Sequence, residues 1–432
     1  MKKTLCILIF ISFLSAVNCY FNLAGKVQVK PFSAYQQTTA AAQEYGNVWD
    51  ALQGCAFDQL AQFAMTEEQN QFAEGLAAVV DGRNAEAIPQ FEKLIQTAGD
   101  SAVLVHARYI LKELYCQDYA WEKAAQIEEM RAVQDSLNEI GLIRALIGTP
   151  VESWFFPDQP VVMPTAASFT GAAQIEVLIN DRKAKFWIDT GASHSVLASD
   201  FAEKSGVIPI SQDEILAGTA TNATVGIKPA LIDRMEIGGL VIENHPALII
   251  DKKDLEFKLF GMIRLVKIDG IIGWNAISRM KMTIDLANKT TTLEKPVEAE
   301  NPNPNLIWLG MPFVKMTSST GRPLLFDLDT GANTTSLADP ILSKIDTAGI
   351  EKSKNKIGGA GGFQSFETVR LAKLDLVLGE NLLTFRKIDT NPNLKHDFFL
   401  YDGRLGGDVM QAGPVVLDFI NHKFELIRSN DR

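Results

Sequence analysis

At 432 residues the chain is too long for one compact core, so roughly two to four domains are expected. Hydrophobic residues make up 47% and charged residues 22%, a balance that excludes a disordered chain. The formal net charge of −11, with no basic stripe, excludes a nucleic-acid partner, because a phosphate backbone would be repelled.

Lys2 and Lys3 precede an apolar run from Leu5 to Leu14, and small residues Ser15 and Ala16 follow. This is the pattern of an export leader, expected over residues 1–19. The run is too short to span a bilayer and no later stretch is long enough, so no membrane span is expected. Cys19 allows a lipid anchor, but Asn18 stands where a lipoprotein signal has a small residue. Plain cleavage near Cys19, giving an exported periplasmic or secreted protein, is therefore the expectation. In that compartment Cys55 and Cys116 are permitted a disulfide, with two buried free thiols as the alternative. Neither has the spacing of a metal ligand.

Residues 35–150 carry helical periodicity. Ile88, Phe91, Leu94 and Ile95 fall on one helix face, and Leu104, Ala107, Leu111 and Leu114 on another. Asp81-Gly82-Arg83-Asn84 reads as the turn between two helices. The phrase from Gly82 to Phe91 resembles a tetratricopeptide helix pair, with a looser copy from Ala107 to Ala125. One or two pairs are too few for a long concave groove, so this domain is read as a helical cap, with a docking module for a protein partner as the alternative.

After Gly148-Thr149-Pro150 the composition changes. Pro157, Pro160 and Pro164 mark a linker, and short β-rich runs then alternate with Gly, Asn and Asp turns. An exposed connector from Glu294 to Asn305 divides this region into two all-β lobes, 165–295 and 306–430. The expected fold class is thus multidomain α+β, an α-helical hairpin domain followed by two β-lobes.

The two lobes repeat one pattern. Phe186-Trp187-Ile188-Asp189-Thr190-Gly191-Ala192-Ser193 matches Phe326-Asp327-Leu328-Asp329-Thr330-Gly331-Ala332-Asn333, and Asp269-Gly270-Ile271-Ile272-Gly273 matches Asp402-Gly403-Arg404-Leu405-Gly406. Asp269 to Asp285 and Asp402 to Asp418 are each 16 residues, so the later motifs keep register. A single Asp-Thr-Gly is a weak signal, but two in matching positions suggest two halves of one site. Glycine after Asp-Thr lets two such loops approach closely. Two carboxylates about 3 Å apart cannot both ionise and so share a proton. The ionised member then activates water while the protonated one polarises a carbonyl, with no metal or cofactor required.

On these motifs, residues 165–430 resemble two retropepsin-like aspartic peptidases of the bacterial, exported kind, fused in tandem. The resemblance implies an aspartic endopeptidase acting on a peptide or protein substrate; the short connector and unequal lobes favour an intramolecular pseudo-dimer, and so a monomer, over lobes that each pair with another chain. It implies catalytic roles for Asp189 and Asp329, and catalytic-loop support from Thr190, Gly191, Ser193, Thr330, Gly331 and Asn333. Bracing falls to Ile271-Ile272-Gly273 and Leu405-Gly406. Flap tips that bind substrate are implied at Gly218 and Thr219, and at Gly359, Ala360 and Gly361. Three second-lobe residues depart from the pattern. Asn333 replaces Ser; Asp327 stands where an apolar residue is commoner, and is expected either to raise the pair's pKa or to face solvent; Arg404 unsettles the bracing motif. Asp269 and Asp402 are read as turn residues, and His194 as a loop residue. The competing function is a non-catalytic peptide-binding or scaffold protein on a relic protease fold, against which both intact Asp-Thr-Gly-Ala turns argue.

Overall fold

The computed structural model describes residues 27–32, 44–131, 136–168, 171–211, 214–218, 224–259, 263–300, 303–345, 349–359, 362–396 and 398–428. The leader, Cys19 and the flap-tip residues Thr219, Ala360 and Gly361 lie outside them. The architecture is mixed α+β, with a helical N-terminal region and a β-rich remainder.

Helices Glu67–Val80, Asn84–Thr97, Ser101–Gln117 and Trp121–Arg131 follow one another through short turns, which forces neighbours to run antiparallel. Side-chain caps start two of them: Thr66 Oγ1 accepts from the Gln69 amide at 3.2 Å, and Asp100 Oδ1 from Ala102 at 2.8 Å. Phe91 and Leu94 are buried, as are Ala107, Leu111 and Leu114. Their core does not close on itself. It continues into Ile307, Leu309, Phe313, Leu325, Phe399 and Tyr401 of the second β-region. Tyr109 stacks on Phe398 with ring centroids 4.1 Å apart, and Gln53 Nε2 donates to the Phe398 carbonyl at 2.9 Å. Cys55 and Cys116 are not joined in a disulfide, and Cys55 Sγ donates to the Leu400 carbonyl.

Each β-region builds its own sheet with one shared pattern. In the first, Arg182–Ile188 pairs antiparallel with Ala173–Ile179 and parallel with Gly270–Ile272, which pairs antiparallel with Ser195–Ala198. In the second, Pro323–Asp329 pairs antiparallel with Pro312–Ser318 and parallel with Gly403–Gly406, which pairs antiparallel with Ser336–Leu337. Burial on both faces explains the nearly continuous apolar runs of the central strands. The second sheet is extended at its edge by Gln28–Pro31, which lies antiparallel to Asn381–Thr384.

A third sheet ties the two regions together. Its order is Lys423–Leu426, Val415–Asp418, Lys281–Asp285, Thr290–Glu294 and Val161–Pro164. Thr283 pairs with Val416, and Met282 with Leu417, in antiparallel register. Matching positions of the two motifs therefore meet each other, as a two-fold relation requires. Trp274 stacks on Trp308 at 5.5 Å and meets Phe419 edge-on at 5.1 Å, sealing this contact with large apolar area.

Candidate active site

Asp189 and Asp329 stand at the ends of buried strands, each in a tight turn closed by its own carboxylate. The Gly191 amide donates to Asp189 Oδ1 at 2.9 Å, and the Ala332 amide to Asp329 Oδ1 at 2.8 Å. Between the turns, two buried threonines bond crosswise. Thr190 Oγ1 donates to the Leu328 carbonyl at 2.7 Å and accepts from the Thr330 amide at 3.0 Å. Thr330 Oγ1 donates to the Ile188 carbonyl at 3.0 Å and accepts from the Thr190 amide at 3.1 Å. Four bonds thus fix one turn against the other, each hydroxyl both donating and accepting.

The glycines make the closest approach possible. A Cβ on Gly331 would lie 2.4 Å from Asp189 Oδ2, and one on Gly191 would lie 2.7 Å from Asp329 Cγ. Each carboxyl thus lies against the glycine of the facing turn. Burial, reinforced by the charge of Asp329, pushes the Asp189 carboxyl up to about 7.

Behind each turn the bracing strand is pinned by a hydroxyl and a carbonyl-type oxygen. In the first region Asn275 Oδ1 accepts from the Ser195 amide at 2.9 Å, while Ser195 Oγ accepts from the Gly273 amide at 3.2 Å. In the second, Asp408 Oδ1 accepts from the Thr335 amide at 2.9 Å and from Thr335 Oγ1 at 2.7 Å, and Thr335 Oγ1 accepts from the Gly406 amide at 3.1 Å. Ser195, Asn275, Thr335 and Asp408 were not singled out from the sequence, although they occupy matching positions in the duplication. His245 and Glu152 extend the first network, since His245 Nε2 lies 2.8 Å from Ser195 Oγ and Nδ1 bonds Glu152.

Asp189, Thr190, Gly191, Asp329, Thr330 and Gly331 are brought into one place. Ser193 and Asn333 are next to it without bonding either carboxylate: Ser193 Oγ lies 3.1 Å from His194 Nδ1, and Asn333 is half-buried. The backbone amides of Gly191 and Ala332 occupy the carboxylate oxygens instead. Gly218 and Gly359 each close a β-hairpin, Ile215–Gly218 with Thr224–Ile237 and Ile350–Gly359 with Gly362–Leu378.

Two expectations need correction. Asp327 neither faces solvent nor stands alone. It is 2% exposed and holds Arg404, whose Nη2 lies 2.8 Å from Asp327 Oδ2. Asp402 is more than a turn residue. It is fully buried, accepts from the Leu325 amide at 2.8 Å and pairs with Lys344 at 2.9 Å. Both are carboxylates that burial alone would neutralise, and a cation from a distant part of the chain keeps each paired.

Residues 175–276 match a family model described as aspartyl protease. That match spans the first Asp-Thr-Gly turn, its bracing strand and Asn275. No curated protein matches the chain. The similarity to aspartyl proteases thus falls on the first β-region, and among the described residues no helix is long and apolar enough to cross a membrane.

Proposed function

We propose that the chain is an exported aspartic endopeptidase whose two β-regions are retropepsin-like lobes of one intramolecular pseudo-dimer. The observation that carries this reading is the crosswise bonding of Thr190 and Thr330, which sets the Asp189 and Asp329 turns against each other. A pair holding one proton is equipped for hydrolysis of an amide. Water held between the carboxyls gives a proton to the ionised member as its oxygen bonds to the carbonyl carbon, and the protonated member gives its proton to the carbonyl oxygen. Collapse of the resulting diol breaks the C–N bond, with a proton passing to the leaving amine.

The hairpins ending at Gly218 and Gly359 are proposed to close over an extended peptide and hold it as an added strand. The helical region is proposed to act as a cap, supported by the core it shares with the second lobe. Export follows from the leader pattern, and a monomer from both carboxyls lying on one chain.

The test is cleavage of a peptide library, followed over about pH 4 to pH 8, by wild type and by Asp189→Asn and Asp329→Asn, each of which should lose at least about a hundredfold in kcat/KM. Asp189 holds its proton below about 7 and gives it up above, so wild-type activity should fall as pH rises through about 7. A variant that cuts as well as wild type would sink the shared-pair mechanism.

A further inference from the structure

The two halves of the site are not equivalent. At the register positions beside the catalytic strands, Trp187 lies opposite Ile271 in the first lobe and Asp327 opposite Arg404 in the second. The residue before each bracing motif's Asp differs in the same sense, Ile268 against Tyr401. Ile268, Trp187 and Ile271 are all buried, so an apolar trio on one side is replaced by a polar trio on the other.

That polar trio reaches the pair directly. Arg404 Nη1 lies 2.7 Å from Asp329 Oδ2. Its Nε donates to both oxygens of Asp327 at 3.1 Å, and Tyr401 OH donates to Asp327 Oδ2 at 3.4 Å. The side chains of Asp327 and Asp329 are 3% and 13% exposed, and that of Arg404 20%, so solvent screens these charges weakly. Among the described residues no cation pairs with Asp189 in this way. Its oxygen meets the Gly191 amide, and its charged neighbours are Asp329 and, farther away, Arg404.

We propose, resting on the peptidase reading above, that Arg404 is a positioning residue that keeps Asp329 ionised as the base and leaves the shared proton on Asp189 as the acid. Asp327 and Tyr401 hold the guanidinium in place. A guanidinium between two carboxylates cannot donate a proton, so it polarises the pair without competing for its role. Each oxygen of Asp329 keeps a lone pair beyond the bonds from Ala332 and Arg404, and water approaches there. The groups that set this balance are Asp189 from the facing loop, Asp327 from the same strand, and Arg404 and Tyr401 from the bracing strand and the loop before it. The elevation of Asp189 to about 7 agrees with the assignment.

The decisive variant is the double replacement Asp327→Leu/Arg404→Ile, which restores the apolar pairing of the first lobe and leaves no unpaired buried charge. Removing the guanidinium should move both limbs of the pH profile of kcat/KM to higher pH by about one unit. Arg404→Lys keeps the charge and should leave the limbs near their wild-type positions, even where kcat falls. A second readout needs no turnover: in protein carrying ¹³C-labelled Asp carboxyls, titration should place the proton on Asp189 alone in wild type and share it between the pair in the double variant. Limbs and carboxyl titrations that are the same in wild type and double variant would overturn the proposal while leaving the peptidase intact. Absent cleavage with an Arg404-dependent titration would instead sink the peptidase reading and support the charge assignment.

Discussion

Gly331 shows how little room the pair has. A methyl at this position would lie 2.4 Å from Asp189 Oδ2 and 2.5 Å from its Cγ, and the Gly191 amide already holds that carboxyl in place. Gly331→Ala must therefore push the two turns apart against the threonine bonds. We expect a destabilisation of about 1–3 kcal/mol, seen as a lower Tm, together with at least a hundredfold loss of kcat/KM. An alanine variant with wild-type activity would mean that the carboxyls do not work in contact. The Asp-Thr-Gly-Ala turns were legible in the sequence because their chemistry is local. Asp327 and Arg404 were visible only as two unrelated oddities. Their partnership depends on strand register between positions 77 residues apart, which no short motif encodes.

At the scale of elements, the two bracing strands do the same task with different groups. Asn275 serves the first and Asp408 the second, through the same bonds to a hydroxyl-bearing residue. Asp408 is buried, and desolvation pushes its carboxyl up to about 6. The folded protein thus binds this proton more tightly than the unfolded chain does. Stability is undiminished below the unfolded carboxyl's pKa and is lost as pH rises from about 4 through about 6. Asp408→Asn keeps the acceptor and removes the buried charge. It should stabilise the protein by about 1–3 kcal/mol at pH 8, have little effect at pH 4, and flatten the dependence between them, as read by denaturant unfolding at each pH. Equal stabilisation at both values would show that ionisation of Asp408 is not what costs stability. Helix faces and strand runs were readable by periodicity. The support network was not, because Ser195 and Thr335 look like any strand-start hydroxyl until the strand behind them is in place.

On the scale of the whole molecule, the helical region and the second lobe share a single core. Phe313 packs edge-on against both Phe399 and Tyr401, at 5.2 Å and 5.4 Å, and Phe399 meets Phe57 at 6.0 Å. Deleting residues 1–150 would uncover Ile307, Leu309, Phe313 and Phe399 together, an apolar patch of the kind that drives aggregation. We expect the 151–432 fragment to be insoluble, or to unfold at a Tm at least about 10 °C below that of the full chain, given the 4–8 °C per kcal/mol of small domains. A fragment as soluble and heat-stable as the full chain would show the helices to be a separate module. The composition change after Pro150 set the helices apart in the sequence, and they were read as a cap, but no motif says what the cap touches. What joins the parts lies in contacts such as Gln53 to Phe398, 345 residues apart.

The sheet that clasps the lobes also sets a clock. Val415–Asp418 pairs with Lys281–Asp285, and Lys423–Leu426 pairs with Val415–Asp418, so the clasp draws on strands that follow the second Asp turn in chain order. Until residues 415–426 have emerged this clasp cannot form, and the contact between the two turns lacks its support. On the peptidase reading proposed above, cleavage would gain this support only once those strands are in place, which would spare the partly made chain its own activity.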